Sequence, residues 1–411
     1  MTTHKTRCCI AGGGPAGIML GYLLARAGIE VTVLEKWPDF FRDFRGDTIH
    51  PSTMELLKEL GLLDEFLALP HSEMERMTFH FGKKEITVAD FRTLRTASRF
   101  IAFIPQWDFL TFLATKGKEY PSFHLMMETE ATDLLEENGR VVGVKAKSGA
   151  ENGAEEFEIR ADLVVGADGR HSTMREKGGF AVEALGAPID VLWFRIEKRD
   201  ADDKQSLGYL DTGSALVMLD RHDYWQCAFI IEKGTLEEVK ARGLDVFRER
   251  IATLAGLSPD ALVEVDSWEK VKFLSVTVDH AQEWARDGLA LIGDAAHAMS
   301  PIGGVGINYA VQDAVAAANI LAPFFANEPG APSLELLKKI QARRESPTRR
   351  MQKLQVFLQD RVLSPALQGS GKLRMPLFLR LISWFPILRR IPTRVIGLGF
   401  LPEHVSTNSL D

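Results

Sequence analysis

Gly12, Gly14 and Gly17 stand at the spacing G-x-G-x-x-G directly after the apolar run RCCIA, and Glu35 closes the next apolar run, EVTVLE. The pattern suits a dinucleotide. The first glycine permits a tight turn, the second lets backbone approach a pyrophosphate, and the third lets helix and strand pack closely. Pro15 and Ala16 complete the turn, and the helix that follows presents unpaired N–H groups to phosphate. Glu35, followed by Lys36, lies where an acid grips a ribose hydroxyl. This turn alone leaves NAD and FAD both open. Two further acids follow apolar runs: Asp168, in Asp168-Gly169-Arg170, and Asp294, after Gly293 in LALIGDAAHAMSPIGGVGINYAVQDA. A strand-end aspartate accepts hydrogen bonds from sugar hydroxyls, and Gly303, Gly304 and Gly306 free the backbone to approach a flat ring. A helix from about Ile307 then aims its positive end at that ring.

The elements that must position these residues are legible in the hydrophobic pattern. The run from Thr6 to Gly28 reads strand, glycine turn, helix, and EVTVLE supplies the next strand, a βαβ opening that implies a parallel sheet. STMELLKELGLLDEF predicts an amphipathic helix after His50-Pro51, with Ser52 as its N-cap. From about Glu73 to Thr96 short alternating stretches predict antiparallel strands outside the first sheet, and QWDFLTFLATKGKEY returns to helix. Asn138-Gly139 between two apolar runs signals a hairpin, which with EFEIRADLVVGADG makes a β-meander. Residues 181 to 275 alternate strand-like runs with one helix, LDVFRERIATLAG. A strand, glycine loop and helix then reappear near residue 285.

The 411 residues carry a net charge of -7, which argues against a general nucleic-acid binder. From Ala331 onward there are 14 Lys/Arg against 5 Asp/Glu, a surplus of nine that leaves -16 on the first 330 residues. Cys8, Cys9 and Cys227 have neither a disulfide pattern nor metal-ligand spacing and are expected to be structural. No metal is expected. Without a signal peptide or a long apolar run, the expected compartment is the cytoplasm.

With GxGxxG, D-G and G-D in this order, the chain resembles the FAD-dependent class A flavoprotein monooxygenases of the para-hydroxybenzoate hydroxylase type, over roughly residues 5 to 325. The resemblance implies that the turn holds FAD that stays, while NADPH or NADH binds transiently without a Rossmann domain of its own. It makes Glu35 the ribose acid, Arg45 a contact to the phosphate region, Gln106 a neighbour of the cofactor, and Asp168, Gly169 and Arg170 the D-G element. Asp294 becomes the ribityl acid, Pro301 part of the loop lining the oxygen-reaction site, and Asn308 the start of the helix facing the flavin. His297 is expected to pack beside the cofactor. The implied reaction uses O2, through a flavin C4a-hydroperoxide, to hydroxylate an electron-rich aromatic or polyketide-like small molecule. The implied fold class is α/β with an α+β substrate layer. It comprises a Rossmann-like FAD-binding domain with parallel sheet and β-meander (1–75, 98–180 and 276–330), an inserted mostly antiparallel substrate domain (76–97 and 181–275) and a C-terminal helical region (331–411).

Facing the flavin, the middle sheet offers Trp193, Arg195, Tyr209, Met218, Trp225 and Phe229 as substrate contacts, and alternation puts Trp193 and Arg195 on one strand face. Arg195 in an apolar strand needs a partner, which makes it a catalytic candidate. Asp47 and His50 are candidates for a general base toward a phenol. Arg42 is placed to meet a 2′-phosphate, which would favour NADPH. The tail KLRMPLFLRLISWFPILRRIPTRVIGLGFLP, broken by Pro376, Pro386 and Pro392, reads either as a helical cap over the domains, the favoured reading, or as a peripheral membrane contact. Monomer and homodimer both stay open. The rival activities are a reductase or dehydrogenase of the geranylgeranyl reductase type, a halogenase, whose W-x-W-x-I-P element is missing, and a non-catalytic flavin sensor.

Overall fold

The computed structural model describes residues 3–41, 47–149, 155–198, 207–221, 223–369 and 373–407. Two sheets dominate it. The opening strand Thr3–Ala11 is buried through its second half and pairs in parallel with Val31–Leu34 on one side and Glu155–Gly166 on the other. Phe123–Met126 and Leu289–Leu291 extend the parallel array outward. Strands buried on both faces read as continuous apolar runs, which is why RCCIA and VTVL lack alternation. Thr129–Glu137 and Arg140–Ser148 form the meander beside Glu155–Gly166. Asn138 (φ 50°) and Gly139 (φ 81°) both sit in the left-handed region that a two-residue hairpin turn requires.

The helix Pro15–Arg26 packs between Gln106–Gly117 and Gly306–Asn327 on one face of this sheet, its Ile18, Leu20, Leu23 and Leu24 fully buried. Pro51–Glu59 starts with Pro51 in the first helical position and His50 as the cap residue. Ser52 is therefore inside the first turn, not at its cap, because proline's fixed φ already begins the helix one residue earlier.

The second sheet has seven strands in the order Lys272–Ser275, Ile189–Glu197, Tyr224–Glu232, Ser214–Asp220, Gly208–Asp211, Arg76–Phe81, Lys84–Asp90. All neighbours are antiparallel except Gly208–Asp211 with Arg76–Phe81. One face carries Leu192, Phe194, Ile196, Met218, Cys227 and Phe229 against Leu244–Ala255. The other face looks toward the glycine loops of the first sheet.

Leu334–Leu358 runs back along the first sheet, and two shorter helices, Leu377–Trp384 and Arg390–Leu398, close the chain. Pro376 and Pro386 do bound helical pieces, but Pro392 lies in the first turn of the last helix, where a missing N–H costs nothing.

Candidate functional site

At the first glycine turn, Gly12 adopts φ 108°, and a Cβ there would lie 2.4 Å from the Ala167 carbonyl oxygen. A Cβ on Gly17 would lie 1.9 Å from the Gly12 carbonyl oxygen, so Gly17 is a packing glycine behind the turn. Gly14, by contrast, meets no atom closer than 4.0 Å, and that open space lies where the helix Pro15–Arg26 begins. Gly12, Gly14, Pro15 and Ala16 line the large cavity between the sheets. The buried Glu35 carboxylate accepts from the Gly13 and Trp37 amides, both at 3.1 Å, which fixes it at the cavity wall next to Lys36.

The D-G and G-D elements meet. Arg170 reaches Asp294 at 3.4 Å, and both side chains line the cavity. Asp168 accepts from the Ser172 hydroxyl and from the Met174 amide at 3.0 Å. Burial raises the Asp168 carboxyl above its usual range against the pull of those bonds. Gly293 is held from behind: its amide donates to Asp313 at 3.0 Å. The same carboxylate takes His297 Nε2 at 2.5 Å and Arg344 Nε at 2.9 Å, and Arg344 also reaches Glu403 at 3.3 Å. His297 thus packs in a buried ionic cluster behind the loop.

The segment from Pro301 to Ile307 supplies cavity wall through Pro301, Gly303, Gly304, Gly306 and Ile307, with Gly303 at φ 80° and Gly304 at φ 63°. Asn308 sits behind that wall. Its amide donates to the carbonyls of Thr48 (3.0 Å) and Gly304 (3.3 Å) and accepts from the His50 amide and the Thr53 hydroxyl, both at 2.8 Å. It latches the loop instead of presenting a free group to a ligand. Gln106 lines the cavity at the start of its helix, its backbone N–H donating to Asp47. Arg45 and Arg42 lie outside the described residues.

Neither base candidate is poised as one. The Asp47 carboxylate is buried against Arg221, which also donates to Gln226 at 3.0 Å, so it ties the segment leading into the short strand Thr48–Ile49 to the second sheet. The fully buried His50 donates from Nδ1 to the Ile396 carbonyl at 2.7 Å, and burial pushes its pKa down to about 4. Its unfolded value near 6.5 is higher, so the unfolded chain binds the proton first and stability falls as pH drops from about 6.5 to about 4. The expected loss is about 3 kcal/mol at the acid end. Denaturant melts at pH 7 and pH 5 should show a drop that shrinks in His50→Gln.

Of the expected substrate contacts on the seven-stranded sheet, Trp193 alone lines the cavity. Val191, Trp193, Val217, Ala228 and Ile230 line the cavity. Tyr209, Met218, Trp225 and Phe229 have the opposite parity and are buried against the helix Leu244–Ala255, with Tyr209 stacked on His80. Arg195 does share Trp193's face, but two residues further it is past the cavity and exposed, and its guanidinium lies 4.4 Å over the Tyr224 ring. Its partner is thus the Tyr224 ring, and it stands outside the residues that line the cavity.

Sequence reasoning also passed over residues that the site uses. Phe79, Phe81, Ile86 and Val88 form wall from the hairpin Arg76–Asp90, and Phe378, Leu379, Ile382 and Ile396 come from the tail. Gln352, Gln355 and Gln359 share one helical face and clamp residues 298–302. Gln355 donates to the Ser300 carbonyl at 2.8 Å and Gln352 to the Ala298 carbonyl at 3.0 Å, while Gln359 bonds the Ser300 hydroxyl at 2.8 Å. The sequence shows them as three glutamines at helical spacing, a stripe that the solvated face of a surface helix would show equally.

The cavity measures about 1390 Å³. That exceeds the roughly 300–1,000 Å³ of a single drug-sized ligand's pocket, so it has room for a dinucleotide and a second molecule side by side. The open space at Gly14, the fixed acid Glu35, and Asp294 beside a glycine-rich wall fit FAD.

Comparisons with known proteins agree with this geometry. A family model described as an FAD binding domain matches residues 5–353. The chain is 32% identical over 394 residues to a 6-methylpretetramide 4-monooxygenase of Streptomyces rimosus, covering 95% of this chain and 92% of that protein. Among solved structures, a p-nitrophenol 4-monooxygenase of Pseudomonas putida superposes with a TM-score of 0.75 at 18% identity, covering 96% of this chain and 97% of the other. An anhydrotetracycline hydroxylase of Streptomyces rimosus does so with a TM-score of 0.71 at 22% identity, covering 96% and 76% respectively.

Proposed function

The chain belongs to the FAD-binding family of flavin-dependent monooxygenases, and from that premise we propose that it hydroxylates a flat aromatic compound of the polyketide type, held against the seven-stranded sheet. The family uses NAD(P)H and O2. The observation that carries the substrate reading is the wall itself. Val191, Trp193, Val217 and Ile230 from the central strands and Phe79 and Phe81 from the edge hairpin make a broad apolar face opposite the glycine loop. Such a face suits a multi-ring ligand and offers little to a small anionic one. The 6-methylpretetramide 4-monooxygenase, similar over nearly the whole length, supports the same class.

FAD, when bound, supplies the redox chemistry and the activation of oxygen. Gly14 and the start of the helix Pro15–Arg26 would hold the pyrophosphate through backbone N–H groups, the Gly12 and Gly13 amides being taken by the Leu34 carbonyl and the Glu35 carboxylate. Glu35 and Asp294, both in the cavity wall, would accept from sugar and ribityl hydroxyls. The start of the helix Gly306–Asn327 turns its positive end toward the ring site and stabilises negative charge there. The apolar sheet and the tail helices exclude water, so that reactive oxygen is directed to the substrate. Trp193 orients the substrate by its indole face.

Trp193→Ala should raise KM for the aromatic substrate about tenfold, from loss of ~1.5 kcal/mol of buried contact, with flavin content unchanged. Arg195→Ala should leave both kinetic constants as they are. The reading is tested by mixing the FAD-loaded protein anaerobically with NADPH and a panel of phenols, anthracyclic polyketides and small benzoates. Bleaching of the flavin bands that accelerates with a multi-ring compound supports it. Acceleration only by the small benzoates would overturn it.

A further inference from the structure

The face of the tail that looks away from the cavity is itself apolar and cationic. On the helix Leu377–Trp384, Phe378, Leu379 and Ile382 point into the cavity. Leu377, Arg380, Leu381 and Trp384 recur at positions i, i+3, i+4 and i+7 and are exposed. The exposure is large: Leu377 65%, Trp384 59%, Phe385 54%, Ile387 59% and Ile391 65%. Between Arg361 and Pro402 the sequence has seven Lys/Arg and no Asp/Glu, although the chain as a whole carries -7. Arg380 lies 5.0 Å over the Trp384 ring, and Arg390 and Arg394 are exposed on the next helix.

We propose that this face docks peripherally on an anionic lipid surface. Large apolar side chains beside arginines, with a tryptophan among them, are what an interfacial helix uses: the apolar groups enter the acyl boundary and the cations meet the headgroups. A second copy of the chain is the poorer occupant, because a two-fold contact would bring Arg380, Arg390 and Arg394 against the same arginines of the other copy. Ile391 is both exposed and part of the cavity lining, so the docked face adjoins the cavity mouth and opens it toward the bilayer. No helix among the described residues is long and apolar enough to cross a membrane, which leaves surface attachment. This inference does not rest on the substrate reading, since docking is read without turnover.

The test is flotation of the full-length, FAD-loaded protein with vesicles of phosphatidylcholine alone or mixed with phosphatidylglycerol, at low and high salt. Co-flotation with the mixed vesicles only, weakened by salt, is expected. Arg390→Gln with Arg394→Gln should weaken it about thirtyfold, at roughly 1 kcal/mol per cation near the surface. Trp384→Glu with Ile387→Glu should abolish it. Unchanged flavin absorbance and NADPH oxidation in solution show that both variants are folded. Failure to float with the mixed vesicles at low salt, equal flotation with both vesicle types, or native-like binding by both variants would overturn the proposal. So would a native dimer that these same substitutions split, or capture by an acidic protein with no vesicle binding.

Discussion

Asp313→Ala is expected to destabilise the fold by about 3–5 kcal/mol and to lower FAD affinity with it. The Asp313 side chain is fully buried on the helix Gly306–Asn327, and its two oxygens serve three donors. Oδ1 takes Arg344 Nε at 2.9 Å, and Oδ2 takes the Gly293 amide at 3.0 Å and His297 Nε2 at 2.5 Å. Alanine strands the buried Arg344 guanidinium with Glu403 as its remaining ionic partner and releases the backbone that carries Asp294. Breaking a buried ion pair from one side costs more than the pair's net worth, because the other charge stays desolvated. Burial works to raise the Asp313 carboxyl, but His297 and Arg344 outweigh it and hold it below the usual range. The stabilisation is therefore present above the ordinary carboxylate pKa of about 3.9 and is lost only as pH falls through the lower folded value. Urea unfolding at pH 7 checks this, with Asp294→Asn as the contrast. The Asp294 side chain is 31% exposed, so that change should reduce bound flavin while leaving the midpoint nearly unchanged. An Asp313→Ala midpoint close to that of the native chain would show that the cluster does not anchor the loop.

Gly14→Val separates folding from cofactor binding in the opposite sense. Gly14 has φ -75°, which any residue adopts, and its side-chain position meets nothing nearer than 4.0 Å. The apoprotein should fold normally, whereas a valine there fills the space the pyrophosphate needs at the helix N-terminus. Loss of that helix-end contact, worth up to ~2 kcal/mol, weakens FAD binding by up to about thirtyfold. The matched control is Gly12→Ala, where φ 108° and a 2.4 Å approach to the Ala167 oxygen strain the fold itself. Fluorescence titration with FAD and thermal melts of the apoproteins distinguish the two. A Gly14→Val protein that binds FAD as the native chain does would move the pyrophosphate away from this turn.

The contrast among the expected site residues follows from what a pattern can carry. The glycine turns, the G-D loop and the Asn138-Gly139 hairpin were legible because each needs a residue type that few others replace. The parallel and antiparallel sheets were legible from run length and alternation. Alternation correctly put Trp193 and Arg195 on one face, but it did not say which face of each neighbouring strand matched it. Tyr209, Met218, Trp225 and Phe229 stand out in the sequence only as aromatic or large, and parity puts them behind the sheet, in the core against Phe247 and Ile251. Arg195 was read as needing a buried partner, yet the strand leaves the cavity before reaching it. Asp47 finds its arginine, Arg221, in a distant part of the chain, and no local pattern announces a pairing across 174 residues. The tail's apolar residues gave a helical period with two faces, and only packing separates Phe378 and Ile382, inside, from Leu381 and Trp384, outside.

Insertion of an atom of molecular oxygen into an aromatic compound, at a flavin held between the two sheets, is the activity expected of this chain. Its most direct test is turnover under 18O2 with NADPH and whichever multi-ring compound accelerates flavin bleaching, followed by mass spectrometry of the product. One 18O atom per hydroxylated product, none from labelled water, is expected. NADPH consumption that yields only hydrogen peroxide, or a product reduced without gaining oxygen, would contradict it.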